Sequence, residues 1–223
     1  MTDTDWDFEV ADWNGDGAQD LFAIKHHGLS NHTEVHVLDG ATSLSTYLGH
    51  YTTVFGQTDA NWEFDVGDCN HDGTPDLLGV RRAGGTSGNV EVDILNGADD
   101  FSTVLQHSVT AISQTETQLD FNLVDWNRDS TLDLVVTKRN GTSNSTEVHV
   151  LSGATGFSEF LLHAGTALHQ ADGTWVFKLA RRDETFLERL LDGGNGFDLV
   201  GIKRSGTANG PLPARKTNRK IPR

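Results

Sequence analysis

A nine-residue stretch that occurs three times constrains this chain more than any other feature. It reads Asp12-Trp13-Asn14-Gly15-Asp16-Gly17-Ala18-Gln19-Asp20, then Asp68-Cys69-Asn70-His71-Asp72-Gly73-Thr74-Pro75-Asp76, then Asp125-Trp126-Asn127-Arg128-Asp129-Ser130-Thr131-Leu132-Asp133. The copies begin at Asp12, Asp68 and Asp125, so their period is nearly constant. Short oxygen-bearing side chains stand at positions 1, 3, 5 and 9 of each. A hard cation such as calcium takes six to eight oxygens from a tight loop, and Gly17 and Gly73 allow the sharp turn such a loop needs. Twelve residues are therefore expected Ca2+ ligands: Asp12, Asn14, Asp16 and Asp20; Asp68, Asn70, Asp72 and Asp76; Asp125, Asn127, Asp129 and Asp133. An EF-hand would need a bidentate Glu at position 12 and flanking helices. Position 12 is Ala23, Gly79 or Val136, each inside an apolar run, so that reading fails. A metal-free Asx-rich turn is the plainer alternative, and its threefold periodic recurrence argues against it.

The surroundings of the loop repeat too. A short alternating segment precedes each copy (Trp6-Asp7-Phe8-Glu9-Val10 in the first), as expected of a strand with one buried face. A nearly continuous apolar run follows (Asp20-Leu21-Phe22-Ala23-Ile24-Lys25), as expected of a strand covered on both faces. A polar turn leads to a third strand (Thr33-Glu34-Val35-His36-Val37-Leu38), which closes on Gly40-Ala41. A weaker fourth strand, Ser45-Thr46-Tyr47-Leu48, comes next. Four short strands per repeat without helical periodicity predict an all-β chain, a β-propeller of four-stranded blades with the cation loops between first and second strands. A blade cannot bury its own faces, so neighbours must.

The expected blades cover about residues 5–60, 61–118 and 119–173, with a partial fourth over 174–210, all within one domain at 1–210. The fourth departs from the pattern. It opens correctly at Trp175, but an Arg/Glu/Leu-rich segment replaces the metal loop and the third strand does not arrive. Residues 211–223 are basic, carry prolines and lack periodicity, as expected of a disordered tail.

Charge narrows the partners. The net charge is −15. Positions 181–223 hold ten of the 17 basic side chains and five of the 32 acidic ones, so the acid is concentrated in the blades before them. That acidic part would repel phosphate, which argues against nucleic acid. No apolar run is long enough to insert in a membrane as a helix. The acidic start lacks a signal-peptide pattern, which points to a cytoplasmic or non-classically exported protein. The single cysteine, Cys69, replaces the loop Trp of the sister copies and is expected to be an inert packing residue. No nucleophile elbow, H-E-x-x-H or Cys/His pair appears, so nothing supports an enzyme.

The unit W-x-F-x-V-x-D-W-N-x-D-G-x-x-D-L, together with Thr146-Glu147-Val148-His149-Val150-Leu151-Ser152-Gly153-Ala154 and Thr166-Ala167-Leu168-His169-Gln170-Ala171-Asp172-Gly173-Thr174-Trp175, resembles fungal lectins of the Psathyrella velutina lectin type. These belong with the wider FG-GAP/VCBS propellers, the integrin α head among them. The resemblance covers about residues 5–180 well and 197–209 in part. It implies structural calcium and interblade pockets for terminal N-acetylglucosamine, in some members also sialic acid. Such rings have six or seven blades, so three and a part imply self-association to complete a ring, or a truncated relative without function. An integrin-like protein-binding module is the alternative of a different class.

A sugar pocket needs hydrogen-bonding groups and an aromatic for the apolar sugar face. The polar sets Lys25, Asn31, Thr33, Glu34 and His36, and Lys138, Asn144, Thr146, Glu147 and His149, offer the first. Trp62 or Trp175, opening the following blade, would supply the second. The competing reading makes the histidines interblade packing residues and the tryptophans core.

Overall fold

The computed structural model describes residues 5–116, 118–142, 144–181 and 197–204. The expected disordered tail at 211–223 and the altered segment of the fourth repeat at 182–196 lie outside the described residues. No described helix is long and apolar enough to cross a membrane.

The described chain is all β apart from two single-turn 3-10 helices. The first blade is β1 (Trp6–Ala11), β2 (Asp20–Lys25), β3 (His32–Leu38) and β4 (Tyr47–Gly56). The second is β5 (Trp62–Gly67), β6 (Asp76–Arg81), β7 (Asn89–Leu95) and β8 (Val104–Ser113). The third is β9 (Leu119–Val124), β10 (Asp133–Lys138), β11 (Ser145–Leu151) and β12 (Phe160–His169). Each is an antiparallel meander with strands in sequence order. The fourth unit holds β13 (Trp175–Arg181) paired with β14 (Phe197–Lys203) among the described residues. The first strands of successive blades are neighbours, β1 to β5 to β9 to β13, and so line the axis. This is a β-propeller built of four-stranded blades.

One element differs from expectation. The fourth strand of each blade is ten residues long, not four. Its extension runs through Gly49, His50, Thr52 and Thr53 in the first blade, where polar side chains and glycine mask the alternation. Two register shifts against β3 blur it further.

The period-2 alternation of each strand sorts side chains between two faces. Phe22, Ile24, Val35 and Val37 of the first blade pack on Phe64, Leu77 and Leu95 of the second. Leu78, Val80, Val92 and Ile94 of the second pack on Phe121, Leu134, Val136 and Leu151 of the third. Val135 and Val150 of the third meet Leu179 and Leu199 of the fourth unit. A plug reinforces two of these junctions. Phe101 and Phe157 occupy a left-handed corner (φ 62° in both) and are buried. Their carbonyls accept from Val54 N and Ala111 N of the preceding blade at 3.2 Å. Leu44 holds the same corner in the first blade but is 41% exposed, because no blade precedes it among the described residues.

Candidate functional site

Two sets of polar residues stand at opposite ends of each of the first three blades. The loop between first and second strands carries the nine-residue stretch. The far end of the second strand carries Lys25, Arg81 or Lys138.

In the first loop, both Asp12 oxygens are held by backbone amides. Oδ1 accepts from Gly15 and Asp16 at 2.9 and 3.1 Å, and Oδ2 from Gly17 at 2.9 Å. Asn14 Oδ1 accepts from Asp16 N, and Asp16 Oδ1 from Ala18 N. Asp68, Asn70 and Asp72 repeat this scheme, as do Asp125, Asn127 and Asp129. The amides wind the loop so that three short oxygen-bearing side chains remain at the surface. The Thr74 amide and the Asn70 side chain hold Asp72 below the usual carboxylate range, and Asn127 and the Thr131 amide do the same for Asp129. Anionic, solvent-facing oxygens on an ordered loop fit a hard divalent cation.

Position 9 is different. Asp20, Asp76 and Asp133 are fully buried. Asp20 accepts from Trp13 N and Gly40 N, each at 2.8 Å; Asp76 from Cys69 N and Gly97 N; Asp133 from Trp126 N and Gly153 N. This carboxylate ties the loop to the turn between third and fourth strands of its own blade. The recurrent Gly-Ala at that turn follows from the same contact. A Cβ on Gly40, Gly97 or Gly153 would overlap the carbonyl oxygen of the residue before the aspartate. Cys69, beside this network, is pushed up to about 12 by burial and by Asp76, Asp65 and Asp68, which makes it an inert thiol.

At the other end, between the second and third blades, lies a cavity of about 270 Å3. Ala111, Ile112, Ser113 and Glu116 of the second blade form one wall; Leu119, Lys138, Glu147, His149, Phe160 and His163 of the third form the other. The cavity exists because side chains there are small. At the previous junction Phe55 and Trp62 stand where Ile112 and Leu119 stand here, with ring centroids 5.1 Å apart, and fill the space.

The polar groups of this pocket are ordered. Glu147 Oε1 accepts from Thr142 N at 2.7 Å and from Thr142 Oγ1 at 2.9 Å. Burial would raise the Glu147 carboxyl, but the Thr142 bonds and the nearby Lys138 and His149 outweigh it and hold it low. Lys138 Nζ meets Glu116 Oε2 at 2.5 Å. His149 faces His163, Nδ1 to Nδ1, at 2.9 Å. Burial and His163 depress the His149 imidazole against the pull of Glu147, so it is neutral at neutral pH.

Of the residues proposed for sugar contact, the structure brings together Lys138, Glu147 and His149. Lys25, Glu34 and His36 form the equivalent group on the first blade, on the face that no other blade covers among the described residues. There Lys25 Nζ lies 5.4 Å from the Trp6 ring centroid, and the His36 ring lies at the same distance from Trp6. Thr33 and Thr146 are fully buried and donate to the carbonyls of Gly56 and His169, each at 3.0 Å. They close the end of the blade and do not line the cavity between the second and third blades. Asn31 and Asn144 sit in left-handed turns (φ 62° and 57°) and are exposed.

Two placements are corrected. Trp62 and Trp175 do not close polar pockets of the blades before them. The polar group of a blade lies on the face opposite the following blade. Trp62 instead carries Arg81 of its own blade at 5.9 Å, and Trp175 carries Lys203 at 5.7 Å. Trp175 also lines a separate cavity with Leu168 and Ala171, which none of the polar set reaches. The aromatic of the described polar pocket is Phe160, 5.9 Å from the His149 ring. His163 escaped the sequence reading because the fourth strand was read too short, whereas Phe160 lay within that strand as read but was not assigned to the pocket. The signal was there: one constant offset separates His36 from His50, Asp93 from His107 and His149 from His163, and each pair lies directly across two strands.

Residues 12–79 match the FG-GAP-like repeat family, a span that holds the first two nine-residue loops and the strands between them. No curated protein matches the chain. The fold is thus that of a β-propeller module carrying an FG-GAP-like repeat, with an ordered polar pocket at a blade junction.

Proposed function

We propose that the chain is a carbohydrate-binding propeller that takes a terminal N-acetylglucosamine between its second and third blades, with structural calcium in the three loops. The observation that carries this reading is the pocket of about 270 Å3 holding Lys138, Glu147 and His149. Its volume lies just below the ~300–1,000 Å3 typical of drug-sized ligands, which suits one sugar ring. Glu147 accepts hydroxyl or amide protons, Lys138 donates, and Phe160 offers an apolar face. An anionic sugar such as sialic acid would have to meet Lys138 while avoiding Glu147 and Glu116. The neutral sugar is therefore favoured. A glycan array tests the reading. Hits on N-acetylglucosamine-terminated glycans, abolished by free sugar and by Glu147→Ala, are expected. A silent array from folded, calcium-loaded protein overturns it.

A second reading rests on a separate observation. Phe8, Val10 and Leu44 on the uncovered face of the first blade are 57%, 58% and 41% exposed, and Val200 and Ile202 of the fourth unit are 41% and 55% exposed. Soluble proteins rarely leave such patches uncovered. Pairing of these faces between copies, head to tail, would extend the arc toward a ring. Light scattering checks it: a discrete oligomer that dissociates in Phe8→Glu is expected, and a monomer at high concentration rules it out.

A further inference from the structure

We infer that Glu147, His149 and His163 form a binding site for a divalent transition metal of the zinc type, with an open coordination position facing the cavity between the second and third blades. The inference goes beyond the glycan reading and does not depend on it. One ligand atom from each of the three side chains lies within 4.8 Å of the other two. The Nδ1 atoms of His149 and His163 are 2.9 Å apart, and Glu147 Oε2 stands 3.6 Å from the other ring nitrogen of His149, Nε2. Two ligands held at about 2.0–2.1 Å by a tetrahedral zinc ion lie roughly 3.3 Å apart. A single ion takes one His149 nitrogen, so the rings must part slightly and the three ligand atoms must close from within their 4.8 Å span.

The ligand types discriminate between metals. Two imidazoles and a carboxylate suit zinc, nickel or copper, whereas calcium takes oxygen alone. The all-oxygen loops at the other end of the blade are the calcium-type sites, so the two chemistries are separated within one blade. The supporting shell is also in place. Thr142 binds Glu147 Oε1 through both its amide and its hydroxyl and leaves Oε2 on the histidine side. Such outer hydrogen bonds orient ligands in metal sites. Three protein ligands with the fourth position opening on a cavity is the arrangement of an accessible zinc centre.

The repeat offers an internal comparison. The first blade carries the same residue types: His36 Nδ1 is 2.5 Å from His50 Nδ1, His36 Nε2 is 3.6 Å from Glu34 Oε2, and Ser30 binds Glu34 Oε1. His36 Nε2 is buried with no hydrogen-bond partner. In the second blade Asp93 replaces one histidine and meets His107 at 2.6 Å, while Glu91 faces Arg81 at 3.8 Å. That set has lost an imidazole, and its glutamate is turned to the arginine that stands in place of Lys138. Among the described residues, the three-ligand gathering is met only in the third blade.

Cobalt(II) titration of the full chain, in excess calcium and without sugar, tests the site. A visible absorption of tetrahedral type, saturable and displaced by zinc, is expected. His163→Ala removes an exposed ligand and should weaken cobalt binding at least about tenfold, while His107→Ala on the second blade should not. Near-ultraviolet circular dichroism confirms that both variants are folded. No cobalt spectrum, or a spectrum unchanged in both His163→Ala and His149→Ala, overturns the inference. Because no sugar is present, this failure is separate from a silent glycan array.

Discussion

Asp76 and Asp72 share one loop and do opposite work. Asp76 is buried and accepts from Cys69 N and Gly97 N at 2.9 Å each. Asp76→Ala leaves two amides without partners, at roughly 1–3 kcal/mol each. We expect a loss of about 3 kcal/mol in urea unfolding, whether or not calcium is present. Asp72 is exposed, and among the described residues its carboxylate bonds to Asn70 and Thr74 of its own loop. Asp72→Ala should leave the calcium-free stability within about 0.5 kcal/mol and reduce the rise in melting temperature on adding calcium. Equal effects of the two variants would refute this division. Gly97 belongs to the same network. Its amide meets Asp76, and its missing side chain makes room for the Pro75 carbonyl oxygen. Gly97→Ala should cost about 2–3 kcal/mol, as overpacking does, while Gly56→Ala, with open space around it, should cost far less.

Blades are held by what they insert into their neighbours. Phe101 lies 5.5 Å from Trp13 and 5.6 Å from Tyr51 of the blade before it, centroid to centroid. Phe101→Ala should cost about 3–5 kcal/mol, the range for a buried aromatic. Leu44→Ala, at the same corner of the first blade, should cost under about 0.5 kcal/mol in the monomer. Comparable losses in urea unfolding would mean that the first blade is covered in solution, and their dependence on protein concentration would identify the cover as a second copy. The same elements show why a blade junction becomes a pocket. Phe55 and Trp62 fill one junction, and Ile112 and Leu119 leave the next open.

Across the molecule, the first strands surround an axial cavity of about 520 Å3 lined by Asp7, Glu9, Glu63, Asp120, Arg139 and Lys178. Lys178 of β13 reaches Glu9 of β1 at 2.8 Å, which links the first blade to the fourth unit. Burial pushes Glu63 up to about 7, against Arg82 and reinforced by Asp120 and Asp7. Asp65 is likewise raised, by burial and by Glu9. Between about pH 4.5 and 7 the folded protein therefore holds a proton at Glu63 that the unfolded chain has released. That contribution is complete in acid and is lost as the pH rises through 7. Relative to Glu63→Gln, the wild-type protein should lose about 1–2 kcal/mol between pH 5 and pH 8, allowing for partial solvent screening. Parallel pH profiles of urea midpoints in the two proteins would contradict this.

Period and spacing alone determined the repeat unit, the blade, the strand order and the oxygen-rich loop. These depend on contacts between adjacent strands of one blade, which leave their pattern in the chain. The likeness of the three loops hid one division: Asn14 and Asp16 are exposed and Asp12 is half-buried over the loop amides, while Asp20 turns inward to Gly40. Burial decided that, and burial belongs to the assembled blade. The polar sets of the second and third strands were legible as a cluster, but which face they occupied was not. Only packing placed Lys138, Glu147 and His149 against Ile112 and Glu116 of the preceding blade, removed Thr146 into the blade end, and sent Trp175 to the opposite side. His163 joined the site because β12 pairs with β11 and sets it directly across from His149. Alternation along the chain sets which residues share a face. The neighbour that covers each face is chosen by the tertiary structure, since that choice minimises exposed apolar area over the whole molecule rather than within a repeat.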